Sequence, residues 1–266
     1  LLGKGSGMGG GGATPSGQGG NMVGNMAQQV GNAMPQMGTG GGRGPGGTGF
    51  GGSTGFLRMF NSDFGGNIAW FIPLALIILA AALWWFRFKP RTDQKRAAFM
   101  LWGGWLLIHM AVFNNVSGVI HPYYVVVLAP AIAALVGMGM PYLCQEYKKG
   151  AASAWLLPVG IVATTLLSFT LLNRLGTWMT WLHLAIFFGG IASALMLLLH
   201  TVGSVGKMAR NIALWIGAMA CIVGPAAYAL ATVRVAHTGS IPTAGPTSTA
   251  LAGSNYESAS SESNLV

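Results

Sequence analysis

The sequence predicts an all-α membrane protein with about six transmembrane helices, and three observations predict it. Only 7% of the 266 residues are charged while 52% are hydrophobic. Six apolar runs, each of about 17–22 residues, match the length that crosses ~30 Å of hydrocarbon at ~1.5 Å per residue. The Lys and Arg residues collect in alternate connections between those runs. A soluble amphipathic helix is not apolar all round, and spanning strands do not need such lengths.

Residues 1 to about 55 read as a Gly/Met-rich low-complexity loop, since 23 of the 42 glycines fall there. Such a segment buries too little apolar surface to offset its backbone entropy, so a disordered linker is expected. "GKGS" at Gly3–Ser6 lacks both the earlier glycine and the strand-to-helix frame of a phosphate-binding loop. Thioethers suit Cu(I), but the scattered methionines have no His or Cys among them, and low complexity is the stronger reading. Residues 56–66, "FLRMFNSDFGG", read as an interfacial segment whose Phe56, Leu57, Met59, Phe60 and Phe64 lie in lipid headgroups beside Arg58 and Asp63.

The six runs are Ile68 to Phe86, Ala97 to Phe113, Tyr123 to Tyr142, Trp155 to Leu172, Trp178 to Leu199 and Ile212 to Val233, within a transmembrane region spanning 67–233. Pro73, Pro130, Pro158 and Pro225 fall inside them, where each would remove a backbone hydrogen bond and favour a kink. Orientation follows from the basic residues. The connections after the first, third and fifth runs hold nine of them, Arg87 to Arg96, Lys148, Lys149, Lys207 and Arg210, against Arg174 alone in the other short loops. That basic side is expected to be cytoplasmic, which puts the Gly-rich segment, "NNVSGVIHP", "NRLGT" and the 234–266 polar tail outside. The net charge of +9 is thus a topology signal, and no nucleic-acid partner is implied. Cys144 and Cys221 have neither disulfide-framework nor metal-ligand spacing. The chain opens on "LLGKGSGMGG" without a leader pattern, so a piece of a longer membrane protein is expected.

Few residues could carry chemistry. The acids are Asp63, Asp93, Glu146, Glu257 and Glu262, of which Asp63 alone is expected just outside the membrane near the helix ends. His109, His121 and His183 are all expected near the outer boundary, yet no two share a helical ligand spacing. No cofactor is assigned, and a divalent metal is the weaker reading. "HPYY" at His121–Tyr124 suits an aromatic interface belt, which Trp70, Trp178 and Trp181 fit as well. It also adds a titratable imidazole and a proline that starts the helix rigidly, so anchoring and site readings both stand on the residues alone.

"GVIHPYYVVVLAPAIAALVGMG", with the upstream Gly-rich loop running into "GFLRMFNSDFGGNIAWFIPLALI" and the downstream "GSIPTAGP", resembles bacterial integral-membrane glycosyltransferases of the glycosyltransferase family 39 type. These are relatives of protein O-mannosyltransferases and of the aminoarabinose transferase that modifies lipid A. The resemblance implies the C-terminal part of a GT-C-type fold in the plasma (inner) membrane of a bacterium. It implies transfer of a sugar from a polyprenyl-phosphate carrier to an extracytoplasmic acceptor, whether protein, lipid or cell-envelope glycan. The family's catalytic acid is expected in a first extracytoplasmic loop upstream of this chain, so no catalytic residue is assigned here and the piece alone is expected to be inactive. His121, Tyr123, Tyr124 and Arg58 are the expected substrate-binding residues, as donors and cations for an anionic lipid-phosphate leaving group.

Two other classes compete. A transporter or flippase subunit would be expected to carry a midplane charge or repeated halves, and no apolar run contains Asp, Glu, Lys or Arg. A non-catalytic scaffold displaying the Gly-rich segment is the third.

Overall fold

The computed structural model describes residues 54–117, 120–150, 152–234 and 244–246. The low-complexity expectation for residues 1 to about 55, with its "GKGS" and methionine readings, falls almost wholly outside the described residues, as does most of the polar tail. Within the described residues, six helical stretches are long and apolar enough to cross a membrane: Gly65–Trp85, Gln94–Asn115, Pro122–Lys149, Leu156–Asn173, Thr180–Thr201 and Lys207–Arg234. The chain is a multi-pass membrane protein, and each predicted run falls on one of these stretches, three of them overhanging an end by one or two residues.

Two stretches change helix type along their length. The first consists of α1 (Gly65–Ile68), a 3-10 turn (Ala69–Phe71) and α2 (Ile72–Trp85). The third opens with a 3-10 segment, Pro122–Leu128, before α4 (Ala129–Lys149). The remaining spans are α3 (Gln94–Asn115), α5 (Leu156–Asn173), α6 (Thr180–Thr201) and α7 (Lys207–Arg234). This corrects the proline reading. Pro73 and Pro130 stand in the first turns of α2 and α4, and Pro158 is the third residue of α5. First-turn amides have no intrahelical acceptor, so proline starts these helices and costs them no bond. The interior prolines are Pro225 in α7 and Pro141 in α4, and the second of these was not singled out from sequence.

Helix ends at the basic side follow from local chemistry. Asp93 caps α3 by accepting from the Arg96 amide at 2.8 Å, so the helix starts before the apolar run does. Lys148 and Lys149 complement the C-terminal dipole of α4, and Gly150, at φ 65°, closes it in the left-handed conformation.

The core forms around α2, whose span is 56% buried, against 28% for α3 and for α7. Three neighbours each bring a glycine to it. A Cβ at Gly103 of α3 would strike Leu79, one at Gly139 of α4 would strike Ile78, and one at Gly160 of α5 would lie 2.8 Å from Leu74. Lipid supplies no hydrophobic drive for helix association, so close backbone approach of this kind carries the packing. A second group of α5, α6 and α7 packs the same way, with Gly190 against Thr165 and Gly217 against Ser193. Ser193 Oγ also donates to the Ala213 carbonyl at 2.7 Å, joining α6 to α7.

Candidate functional site

The candidate residues gather at the end of the bundle opposite the nine basic residues. There the ends of α3, α5 and α7 meet the starts of α1, the Pro122–Leu128 segment and α6. Residues 54–64 run across this end, and the structure divides the apolar set predicted for headgroups. Phe56 and Leu57 are 84% and 67% exposed, whereas Met59 and Phe64 are fully buried.

Arg58 shows why the segment turns inward. It is 4% exposed, and its Nη1 donates to the Phe113 carbonyl at 3.0 Å and the Val116 carbonyl at 2.6 Å. These oxygens lie at the C-terminus of α3, where carbonyls lack intrahelical donors and the helix dipole favours a cation. The guanidinium carbon also sits 5.4 Å from the centre of the Phe64 ring. Asn114 Nδ2 donates to the Phe56 carbonyl at 3.0 Å, and the Gly55 amide donates to the Asn114 carbonyl at 2.9 Å. From the other side, Arg174 Nη1 donates to the Phe60 carbonyl at 2.6 Å. Arg58, expected to bind lipid phosphate, and Arg174 therefore both hold backbone carbonyls. Asn61 then starts α1, its Oδ1 accepting from the Asp63 and Phe64 amides at 3.0 and 2.9 Å.

The α1 turn packs on the Pro122–Leu128 segment, which carries the ring cluster. His121 precedes it in extended conformation, φ −75° and ψ 135°, and Pro122 fixes the first helical position. His121 and Tyr123 stack with ring centres 5.3 Å apart and planes 8° apart. Tyr124 meets both rings edge-on, 5.5 Å from His121 and 4.8 Å from Tyr123. Edge-to-face and offset contacts at these separations suit the ring quadrupoles. Tyr123 and Tyr124 remain 43% and 47% exposed, so the cluster offers ring surface and hydroxyls to a molecule at this membrane face.

The other two histidines have different surroundings. His109 Nδ1 bonds locally to the Trp105 carbonyl at 2.8 Å, while Trp105 Nε1 donates to the Val127 carbonyl at 2.9 Å. His183 is 1% exposed inside the α5–α7 group. Among the described residues no group of three His, Cys, Asp or Glu side chains could hold a metal ion.

Sequence reasoning missed Tyr228. Its hydroxyl donates to the Ala244 carbonyl at 2.8 Å, and its ring lies 5.4 Å from that of Trp70. A lone phenol near the end of the last apolar run was the available signal, because a buried tyrosine hydroxyl requires a partner.

Two curated proteins of Bacillus subtilis (strain 168) are similar to the chain. One, named "Putative mannosyltransferase YycA", is 33% identical over 154 residues, which cover 55% of this chain and 22% of that protein. The other, named "Putative mannosyltransferase YkcB", is 36% identical over 120 residues, covering 43% of this chain and 16% of that protein. The matched stretch is thus less than a quarter of either relative's length. No family model matches the chain, and no solved structure does. The six apolar spans and these two relatives together bear out the resemblance: the chain is a multi-pass helical membrane protein similar in sequence to proteins named as mannosyltransferases.

Proposed function

We propose that the chain is part of a membrane glycosyltransferase that moves a sugar from a polyprenyl-phosphate donor to an extracytoplasmic acceptor. The observation that carries this reading is the packed His121–Tyr123–Tyr124 ring cluster, half open at the membrane end opposite the basic loops. In this reading the cluster faces outside, as the distribution of Lys and Arg favours.

The chemistry suits the groups present. The acceptor oxygen bonds to the anomeric carbon while that carbon's bond to the phosphate oxygen breaks, and the electron pair leaves with the phosphate. The acceptor's proton goes to a general base, a role assigned to no residue of this chain. Charge builds on the departing phosphate, and the tyrosine hydroxyls and the His121 imidazole are the donors that would meet it. The ring faces would lie along the C–H face of the sugar or the prenyl chain. Arg58 serves this site as a positioning residue, since its guanidinium holds the end of α3 from which the chain passes to His121.

The test is His121→Ala in the full-length protein, assayed with defined polyprenyl-phosphate sugars. Transfer should fall at least tenfold with expression and membrane insertion unchanged. Unchanged transfer would remove His121 from the site.

A further inference from the structure

The tail stretch Ala244–Pro246, part of "GSIPTAGP", has no assigned role, yet it is bound to the site end of the bundle. Tyr228 Oη donates to the Ala244 carbonyl at 2.8 Å, and the Gly245 amide donates to Thr232 Oγ1 at 2.9 Å. Thr232 stands one turn after Tyr228 on α7, its Oγ1 donating to the Tyr228 carbonyl at 2.9 Å. Gly245 is buried, with φ +119°, a conformation that other residues rarely adopt. A Cβ there would also lie 2.7 Å from Tyr228 Oη. Two independent constraints thus call for glycine at this position.

The same hydroxyl touches a second glycine. A Cβ at Gly66, in the α1 turn, would overlap Tyr228 Oη, and Trp70 Nε1 donates to the Gly66 carbonyl at 2.7 Å. Tyr228 is therefore wedged between two backbones, that of the tail at Gly245 and that of α1 at Gly66. The α1 turn also packs against Pro122–Leu128, which carries Tyr123 and Tyr124.

We propose that Ala244–Gly245 is a backbone latch that seats Tyr228 against Gly66 and so positions the α1 turn under the ring cluster. Tyr228, Thr232 and Gly245 are then positioning residues: they contact no substrate, and they set the height of the surface on which the tyrosines sit. Docking of the tail and geometry of the site become one equilibrium. A bound latch gives a fixed α1 turn, and a released latch gives a loosened one. The link to transfer rests on the function proposed above, whereas the latch and its hold on α1 do not.

Hydrogen–deuterium exchange on the full-length protein in nanodiscs tests both. In the wild type the Gly245 amide should exchange several-fold more slowly than in a free peptide of residues 240–250, because it is held by a protein acceptor. Thr232→Val should abolish that protection and speed exchange across residues 65–71 while leaving residues 94–100, at the basic end, unchanged. Thr232→Ser, which keeps the acceptor, should restore both. An unprotected Gly245 amide in the wild type overturns the latch. Loss of protection at Gly245 with no change over residues 65–71 overturns the coupling. In a transfer assay Thr232→Val should raise KM for the lipid-linked sugar several-fold with kcat within twofold, and Thr232→Ser should reverse this. An unchanged KM overturns the positioning role, while absence of transfer in the wild type counts against the function alone and leaves the exchange result standing.

Discussion

Arg58 Nη1 lies 2.6 Å from the Val116 carbonyl oxygen, and this contact ties the segment before the first span to the end of the second. A charge-assisted bond of this kind is worth about 1.5–3 kcal/mol, and removing a buried donor also leaves its acceptors unmet. Arg58→Ala should therefore destabilise the protein by about 2–3 kcal/mol. Arg58→Lys should recover less than half of that, because an ammonium lacks the planar fork. Chemical denaturation of the purified protein, followed by tryptophan fluorescence, measures the loss. A stable Arg58→Ala variant with a raised KM for donor would instead assign the side chain directly to phosphate.

Two glycines on α4 provide an internal comparison. A Cβ at Gly139 would run into Ile78 of α2, whereas one at Gly137, two residues earlier, meets nothing within 4 Å. Gly139→Ala should cost about 1–3 kcal/mol through overpacking. Gly137→Ala should be neutral or stabilising by up to about 1 kcal/mol, because alanine favours the helix. Midpoints of thermal unfolding in one detergent should separate the two variants, and equal midpoints would mean that α2 and α4 are not in close contact there.

That comparison also marks what could be read from the sequence. Spans were legible because length and uniform apolarity are set by the bilayer, and the basic loops stood out against so few charges. Helix type was not legible. Ala69–Phe71 and Pro122–Leu128 are as apolar as the α-helices they precede, so Pro73 and Pro130 looked interior when they are first-turn residues. "HPYY" was visible as polar rings at a run boundary, but their stacking needed coordinates. Arg58 could be read as a cation at an interface. Its carbonyl partners lie 55 and 58 residues away, and no local pattern announces such a contact. Tyr228 was hidden for the same reason, its partners being a tail carbonyl and a glycine in α1.

Orientation can be tested with single cysteines in a variant lacking Cys144 and Cys221. Ser62 and Thr92 are both exposed and lie at opposite ends of the first span. If the basic loops are cytoplasmic, Ser62→Cys should react with a membrane-impermeant maleimide in intact cells, and Thr92→Cys only after permeabilisation. The reverse pattern would place His121 inside and end the proposal of an extracytoplasmic acceptor.

The tyrosine hydroxyls can be separated from their rings. Tyr124 meets His121 and Tyr123 edge-on, so Tyr124→Phe keeps a ring in the cluster and removes the hydroxyl together with its interaction with Tyr123. If that hydroxyl donates to the departing phosphate, a bond to a charged acceptor is lost and kcat/KM should fall about tenfold to a hundredfold. Tyr124→Ala should fall further, because it also removes ring contacts worth about 0.5–1.5 kcal/mol each. Steady-state transfer kinetics on the full-length protein distinguish the roles. A full-activity Tyr124→Phe beside an inactive Tyr124→Ala would assign the residue to the sugar or prenyl surface and leave the phosphate to His121 and Tyr123.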